Sequence, residues 1–251
     1  MSRILRWLPA ALLLLAGLSL CAQQPTPLPS LTVDFGKTPS GPALSSSLQA
    51  VLLLTILTMA PTILMTATSF TRIVVVMHFL RQGLGTQQTP SNQVLISLSL
   101  VLTFFIMAPT AREINATVLQ PLQRNELTTD QALDRTAAPM KVFMLRHTRK
   151  KDLALFLRIA KAPAPKTKAD VPMECLLPAF LISELKTAFE IGFMIFLPFL
   201  VVDMVVASIL LSMGMMMLPP VVISLPFKVL LFVLVDGWYL IVGSLVRGYT
   251  G

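Results

Sequence analysis

Charged residues are scarce in this sequence. Only 13% of its 251 residues are Asp, Glu, Lys or Arg, whereas 55% are hydrophobic, and the mean hydropathy is +0.76. A soluble globular domain usually carries about twice that share of charge. The composition therefore excludes an ordinary soluble protein and favours a protein of the membrane class.

Acidic residues are the rarer of the two signs, with 12 against 20 basic residues and a net charge of +8. Most of the basic residues lie between Ala111 and Cys175, where we count 12 of them beside 7 acids. Basic residues diluted in this way resemble neither a nucleic-acid recognition helix nor an aromatic stacking platform. We therefore expect a polar region that faces other proteins or lipid headgroups, and no nucleic-acid partner.

Cysteine and histidine are almost absent. The two cysteines are Cys21 and Cys175, and Cys21 falls at the end of a predicted signal peptide, so no disulfide framework is possible in the mature chain. The two histidines, His78 and His147, have no cluster of metal-ligating residues around them. We predict no metal site and no cofactor.

Catalytic motifs are also lacking. The sequence has no P-loop, no dinucleotide-binding glycine pattern and no G-x-S-x-G. Ser183 and Lys186 fit the short pattern S-x-x-K, but the companion motifs S-D-N and K-T-G of penicillin-binding enzymes are missing. The sequence therefore predicts a protein that is not an enzyme.

The N-terminus has the pattern of a secretory signal peptide over residues 1–22. Arg3 and Arg6 precede an apolar run from Leu8 to Leu20, and small residues follow. An uncleaved membrane anchor is the alternative interpretation. Residues 23–47 contain five prolines and are predicted to form a disordered mature N-terminus.

The remaining chain alternates long apolar blocks with one polar insert, which predicts an all-α fold of Pro-broken apolar helices. We expect a first helical hairpin over residues 48–110 and a second hairpin over residues 176–251. The helix breaks are predicted at Pro61, Pro109, Pro198, Pro219 and Pro220.

The polar insert spans residues 111–175. Within it, Phe143, Leu153, Phe156 and Leu157 alternate with Arg and Lys at roughly helical spacing. That spacing predicts amphipathic helices in the insert.

Six charged residues interrupt the apolar sequence of the second half, and we predict that they are buried structural charges. They are Glu184, Lys186, Glu190, Asp203, Lys228 and Asp236. Lys186 and Glu190 are four residues apart and can meet on one helix face, whereas Asp203 has no partner nearby in sequence. Because a lone charge in lipid costs about 2.5–3.5 kcal/mol, we expect pairing between helices or subunits. A water-filled cavity lined by these charges is the alternative.

A methionine cluster lies in the second half. Four of the five residues from Met213 to Met217 are methionine, and Pro219 and Pro220 follow. Gly214 and the two prolines end a helix, so the cluster is predicted to form a loop between two long helices. Ordinary core filling at a helix end is the alternative for these flexible side chains.

Four stretches carry a resemblance to a known family. They read SFTRIVVVMHFLRQGLGTQQTPSNQVL at 69–95, PAFLISELKTAFEIGF at 178–193, PFLVVDMVVASILLSMGM at 198–215 and LPFKVLLFVLVDGW at 225–238. In these stretches the chain closely resembles the FliP family, the P subunit of the flagellar type III protein-export gate, which has relatives in virulence secretion systems. The resemblance covers essentially residues 45–250.

The resemblance implies a non-enzymatic role in the bacterial inner membrane, within the flagellar basal body. Members of the family form a homo-oligomer, a pentamer, which joins the Q and R subunits and other export-apparatus proteins in a helical gate. Unfolded flagellar proteins pass through that gate. Met215, Met216 and Met217 match the family's methionine-rich loop, which acts as a gasket in the pore.

A polytopic solute transporter or ion channel is the alternative function. Broken helices and buried charges also suit such a protein. It would bind its substrate near the middle of the membrane and would act without sister subunits.

Overall fold

The computed structural model describes residues 46–86, 88–124, 126–163, 165, 167–168, 170–215 and 217–250. All regular secondary structure in these residues is helical, which confirms the predicted all-α class. Its main helices are α1 Ser46–Ala67, α2 Phe70–Leu84, α3 Asn92–Ile114, α4 Thr129–His147, α5 Lys150–Ile159, α6 Met173–Ser212, α7 Pro220–Leu234 and α8 Gly237–Thr250. The predicted signal peptide, and the predicted disordered segment up to residue 45, lie outside the described residues.

The pair α2 and α6 forms the centre of the fold. Ile73, Val76, Met77 and Leu80 in α2 are fully or almost fully buried, and their spacing places them on one helix face. Burying each such side chain stabilises the fold by about 1.5–3 kcal/mol. The apolar stripe of α2 therefore anchors it along α6.

Two glycines let α2 and α6 approach closely. A Cβ atom on Gly192 of α6 would lie 2.5 Å from the ring of Phe79 in α2. A Cβ atom on Gly83 of α2 would lie 2.7 Å from the ring of Phe199 in α6. Each phenylalanine ring thus fills the space that a side chain would take on the opposite helix.

Helix α7 packs against α6, and α8 follows it after a bend. The side chain of Lys228 in α7 reaches Asp203, and Tyr249 near the end of α8 reaches Glu184. The two helices bend by 63° at Asp236, which has a positive φ of 51°. Gly237 follows, and a Cβ atom there would lie only 2.2 Å from the ring of Phe232, so only glycine fits this turn.

Helix α3 returns along α2 after a short polar loop. Helix α2 ends at Leu84 because Gly85 adopts a left-handed conformation with φ of 76° and bonds back to Gln82. Across the loop, Arg81 donates a hydrogen bond of 2.6 Å to the side chain of Asn92, the first residue of α3. The loop is therefore held at both of its ends.

The polar insert contains two amphipathic helices, α4 and α5. Thr128 and Gln131 form a capping box that starts α4. On its inner side, Met144 packs with Leu176 and Phe180 of α6 in a second, smaller core. The insert is thus attached to the first half of α6.

Three of the five predicted helix breaks are wrong. Pro61, Pro109 and Pro198 lie inside α1, α3 and α6, which continue past them. A proline removes one backbone hydrogen bond, but packing and neighbouring hydroxyl groups allow apolar helices to continue through it. Only Pro219 and Pro220 mark a helix boundary, since Pro220 is the first residue of α7.

The first bend comes after α1 and not at Pro61. Helices α1 and α2 meet at an angle of 69° across Thr68 and Ser69. The predicted boundary between residues 110 and 111 also falls inside a helix, because α3 continues through a π-helical turn, Asn115–Leu119, to Gln123. Polar residues do not by themselves end a helix, so the change in composition at residue 111 is not a helix boundary.

Among the described residues, two helical segments are long and apolar enough to cross a bilayer. They are Asn92–Gln123 and Met173–Ser212. The bent pairs Leu57–Leu84 and Pro220–Thr250 raise the number to four if each is counted as one span. The grouping of these helices into two hairpins within an oligomeric gate stays a prediction.

Candidate functional site

The methionine cluster lies in a tight loop between α6 and α7. Helix α6 ends because Gly214 adopts a left-handed conformation with φ of 72°. The N–H of Met215 donates to the carbonyl of Leu210 at 3.0 Å, and the N–H of Gly214 donates to that of Leu211 at 3.0 Å. These two bonds are a Schellman motif, which satisfies the last carbonyls of the helix. We call residues 213–219 the methionine loop.

Three methionine side chains of the methionine loop are exposed. Met213 is 66% exposed, Met215 is 41% exposed and Met217 is 95% exposed. Met216 lies outside the described residues. The cluster is therefore not buried within its own chain, and core filling does not explain these three methionines.

A polar contact joins the two helices that flank the loop. The ammonium group of Lys228 in α7 lies 2.6 Å from the carboxylate of Asp203 in α6, and Ser224 donates a hydrogen bond to the same carboxylate. Lys228 is almost fully buried, and the side chain of Asp203 is 26% exposed. A charged lysine is costly to bury without such a partner. This contact therefore holds α7 against α6 in the region next to the methionine loop.

A second polar contact joins α2, α6 and α8. The carboxylate of Glu184 is fully buried and accepts hydrogen bonds from the guanidinium of Arg72 and the hydroxyl of Tyr249. The guanidinium carbon of Arg72 also lies 4.0 Å from the centre of the Tyr249 ring, in a cation–π arrangement. Three helices far apart in sequence thus meet at one carboxylate.

A third polar contact joins the insert to α6. Ser183 donates a hydrogen bond of 2.6 Å to Asp152 of α5, and the guanidinium of Arg149 lies 2.7 Å from the same carboxylate. Burial of Asp152 opposes its ionisation, but the hydrogen bonds from Ser183 and Arg149 outweigh it and hold the pKa of Asp152 below its ordinary value. The carboxylate therefore stays charged and keeps α5 on α6.

The structure separates the six predicted buried charges into two groups. Glu184, Asp203 and Lys228 take part in the inter-helix contacts described above. The other three residues are exposed within this chain, so their predicted burial stays a prediction that concerns contacts between subunits. Lys186 and Glu190 pair with each other on an exposed face of α6, and Asp236 is exposed at the bend between α7 and α8.

Sequence reasoning missed several partners of these charges. Arg72 and Tyr249 were not identified, although a lone arginine in the apolar sequence around residues 70–80 was a signal for a buried pair. Ser183 and Lys186 do not form a catalytic pair, because Ser183 contacts Asp152 and Lys186 contacts Glu190. Within the described ranges, no group of three or more metal-ligating side chains is close enough to hold a metal ion.

Comparison with known proteins identifies the family of this chain. The model of the FliP family matches residues 53–245. The chain belongs to the FliP family. It is 60% identical over 205 residues to the flagellar biosynthetic protein FliP of Bacillus subtilis (strain 168), a match that covers 82% of this chain and 93% of that protein.

Two further members of the FliP family show the same relationship. The flagellar biosynthetic protein FliP of Aquifex aeolicus (strain VF5) is 54% identical over 208 residues, which cover 82% of this chain and 87% of that protein. The FliP of Agrobacterium fabrum (strain C58 / ATCC 33970) is 46% identical over 243 residues, which cover 96% of this chain and 97% of that protein. The family match favours the export gate and gives no support to the transporter alternative.

Proposed function

We propose that this chain is a core subunit of the flagellar type III protein-export gate in the bacterial inner membrane. Membership of the FliP family, with relatives named flagellar biosynthetic protein FliP, is the observation that carries the proposal. The role is structural: the chain forms part of a channel entrance for unfolded flagellar proteins and catalyses no reaction.

The gate requires several copies of the chain. We propose a homo-oligomer, a pentamer by family resemblance, together with the Q and R subunits, other export-apparatus proteins and membrane lipid. Large exposed apolar side chains on α6 and α7 support this assembly, among them Phe193, Met194, Met204, Val222 and Leu234. Such a surface is too extensive for an isolated water-facing chain and suits contacts with other subunits or lipid.

The methionine loop is the proposed gasket of the pore. Methionine side chains are unbranched and polarizable, so they repack around objects of irregular shape. Loops from several subunits that meet at one axis would close the pore against water and small ions, yet deform around an unfolded chain. The exposure of Met213, Met215 and Met217 leaves them available for such contacts.

The pair of Asp203 and Lys228 is proposed to support the gasket. It joins α6 to α7 nine residues before the end of α6 at Ser212. Because both helices enter the methionine loop, a fixed distance between them keeps the loop in one position. The loop can then change its side-chain packing without moving its backbone.

The experiment is complementation of a flagellated bacterium from which the resident FliP has been removed. The chain should restore export of flagellar proteins into the medium when expressed with its own Q and R subunits. The triple variant Met215→Ala, Met216→Ala and Met217→Ala should assemble normally but leak small ions across the membrane. The matched control is Met59→Ala with Met65→Ala, which removes exposed methionines of α1.

Two results would oppose the proposal. If the wild-type chain forms no complex with its Q and R subunits and restores no export, the function itself is wrong. If the triple methionine variant keeps a tight membrane and unchanged export, the gasket role is wrong, although the subunit role stands.

A further inference from the structure

A groove runs along the outer side of α4 in the polar insert. It encloses a cavity of about 520 Å³. Its wall includes Ala137, Ala138, Val142, Leu145, Arg146 and Lys168. All of these belong to α4 except Lys168, which follows α5 in the segment that leads to α6. We call this feature the α4 groove.

The α4 residues of the groove lie on one helical stripe. Ala138, Val142 and Leu145 repeat at spacings of four and three residues, as on the contact face of paired helices, and Ala137 lies beside them. The side chain of Val142 is 58% exposed. The opposite face of α4 already holds the helix in its own chain, through Met144 and the core around it. Leu145 packs partly against that core, whereas Ala138 and Val142 are exposed. The part of the stripe around Ala138 and Val142 therefore remains open after the chain has folded.

The shape of the α4 groove suits a second helix. Two adjacent alanines leave room for the backbone of a partner, and helices pack at about 8–10 Å between their axes when the contact residues are small. Val142 and Leu145 then provide apolar contacts for side chains spaced i, i+3 and i+4 on that partner. A helix with one apolar stripe would cover this surface along about three turns.

The charged residues around the groove indicate which sign of charge a partner should carry. Arg146 lies in its wall towards the C-terminal end of α4, and Lys141 lies about one turn before it. Lys168 also lines the groove, and Asp134 lies towards the other end of α4. The whole chain has a net charge of +8, so a second copy would bring further positive charge to the contact. Carboxylates on the partner instead complement Arg146 and Lys168.

We propose that the α4 groove docks an amphipathic helix of a different protein, with an apolar stripe and with carboxylates at the end that meets Arg146. The contact pairs this basic end of the groove with the acidic end of the partner helix, and Asp134 disfavours the reversed orientation. The proposal concerns the insert alone, and it does not depend on the export-gate function or on the methionine loop.

The test uses the purified full-length chain in detergent and two synthetic helical peptides as probes. Both peptides carry leucines at i, i+3, i+4 and i+7. The leucines are flanked by four glutamates in one peptide, the glutamate peptide, and by four lysines in the other, the lysine peptide. Binding of each labelled peptide is measured by fluorescence anisotropy at low and high salt. The glutamate peptide should bind at least about tenfold more tightly than the lysine peptide, and high salt should weaken the binding of the glutamate peptide.

Charge reversal locates the contact. Arg146→Glu should weaken binding of the glutamate peptide about tenfold and should improve binding of the lysine peptide. Val142→Glu should weaken binding of the glutamate peptide by placing a charge in the apolar stripe. The matched control is Arg158→Glu, which reverses an exposed cation on α5 outside the groove. Circular dichroism of each variant checks that its helix content is unchanged.

Four outcomes would overturn the proposal. Equal binding of the two peptides, or no binding of either, excludes an acidic helix as the occupant. An equal loss of binding in Arg158→Glu shows general attraction to a basic insert. A fall in the copy number of the complex on Arg146→Glu, measured by mass photometry, identifies the groove as a contact between copies of the chain. Binding of anionic phosphatidylglycerol vesicles that Arg146→Glu abolishes, without any binding of the peptide, identifies a lipid surface.

Discussion

Arg72 in α2 and Glu184 in α6 form an ion pair that is closed to solvent, with side chains that are 5% and 0% exposed. The two residues are 112 positions apart, and Tyr249 from the end of the chain completes their contact. A buried ion pair does not by itself add stability compared with an apolar pair, but loss of one partner leaves an uncompensated charge. The contact therefore specifies how α2, α6 and α8 meet.

Glu184→Ala should destabilise the fold strongly. Loss of the carboxylate leaves Arg72 buried without its partner, which costs about 3–5 kcal/mol. Thermal unfolding of the purified chain in detergent, followed by circular dichroism, measures the effect. The matched control is Glu190→Ala, which removes an acid from an exposed pair on the same helix and should leave the melting temperature unchanged. Equal melting temperatures for both variants would contradict the buried-pair argument.

Asp203→Ala and Lys228→Ala should each reduce the yield of the assembled complex. Either change leaves one polar partner unmatched between α6 and α7, and loosens the base of the methionine loop. The exchanged pair, Asp203→Lys with Lys228→Asp, should recover part of the yield because it restores opposite charges. Native mass measurement of the co-expressed subunits reports the yield. Normal assembly of both single variants would show that the pair is dispensable.

Gly192→Ala should lower the melting temperature, because the added methyl group would lie 2.5 Å from the ring of Phe79. Overpacking of this kind typically costs about 1–3 kcal/mol. Gly243→Ala is the control: its Cβ would lie 3.7 Å from the guanidinium of Arg247, an ordinary contact. A replacement of glycine by alanine inside a helix usually stabilises it slightly. Opposite signs for the two variants, measured by thermal unfolding in detergent, are the expected result.

Stability should fall as the pH is lowered from about 6.5 towards 4 because of His147. Burial, together with the positive charges of Arg72 and Arg146, lowers the pKa of His147 from 6.5 to about 4. Between these values the unfolded chain binds a proton that the folded chain excludes, so unfolding is favoured as the pH falls. His147→Gln should flatten this part of the pH profile of the melting temperature. An unchanged slope in that variant would assign the dependence to other groups.

Local sequence patterns predicted the features that depend on neighbouring residues. The all-α class followed from long apolar blocks, and the turn at Met213–Pro219 followed from Gly214 and two prolines. The contact of Lys186 with Glu190 followed from their spacing of four residues. Each of these depends on chain geometry within a few turns.

The features that escaped prediction depend on packing between distant segments. Pro61, Pro109 and Pro198 looked like breaks because sequence shows the missing N–H group but not the neighbours that hold the helix. The partners of Glu184 were unknown because Arg72 and Tyr249 come from opposite ends of the described chain. Burial of Asp236 was predicted from its apolar neighbours, whereas the bend between α7 and α8 exposes it within this chain.

The length of α6 limits how much of it lipid can surround. Its 40 residues extend about 60 Å, about twice the thickness of the hydrocarbon layer of a bilayer. Even at a steep tilt of about 40°, that layer covers about 26 residues, so about 14 or more lie outside it. Beyond Asp203 the helix has no charged residue, whereas its first half carries Glu184 and the exposed Lys186 and Glu190. We therefore expect the part outside the hydrocarbon to lie in the first half, where α6 contacts the insert.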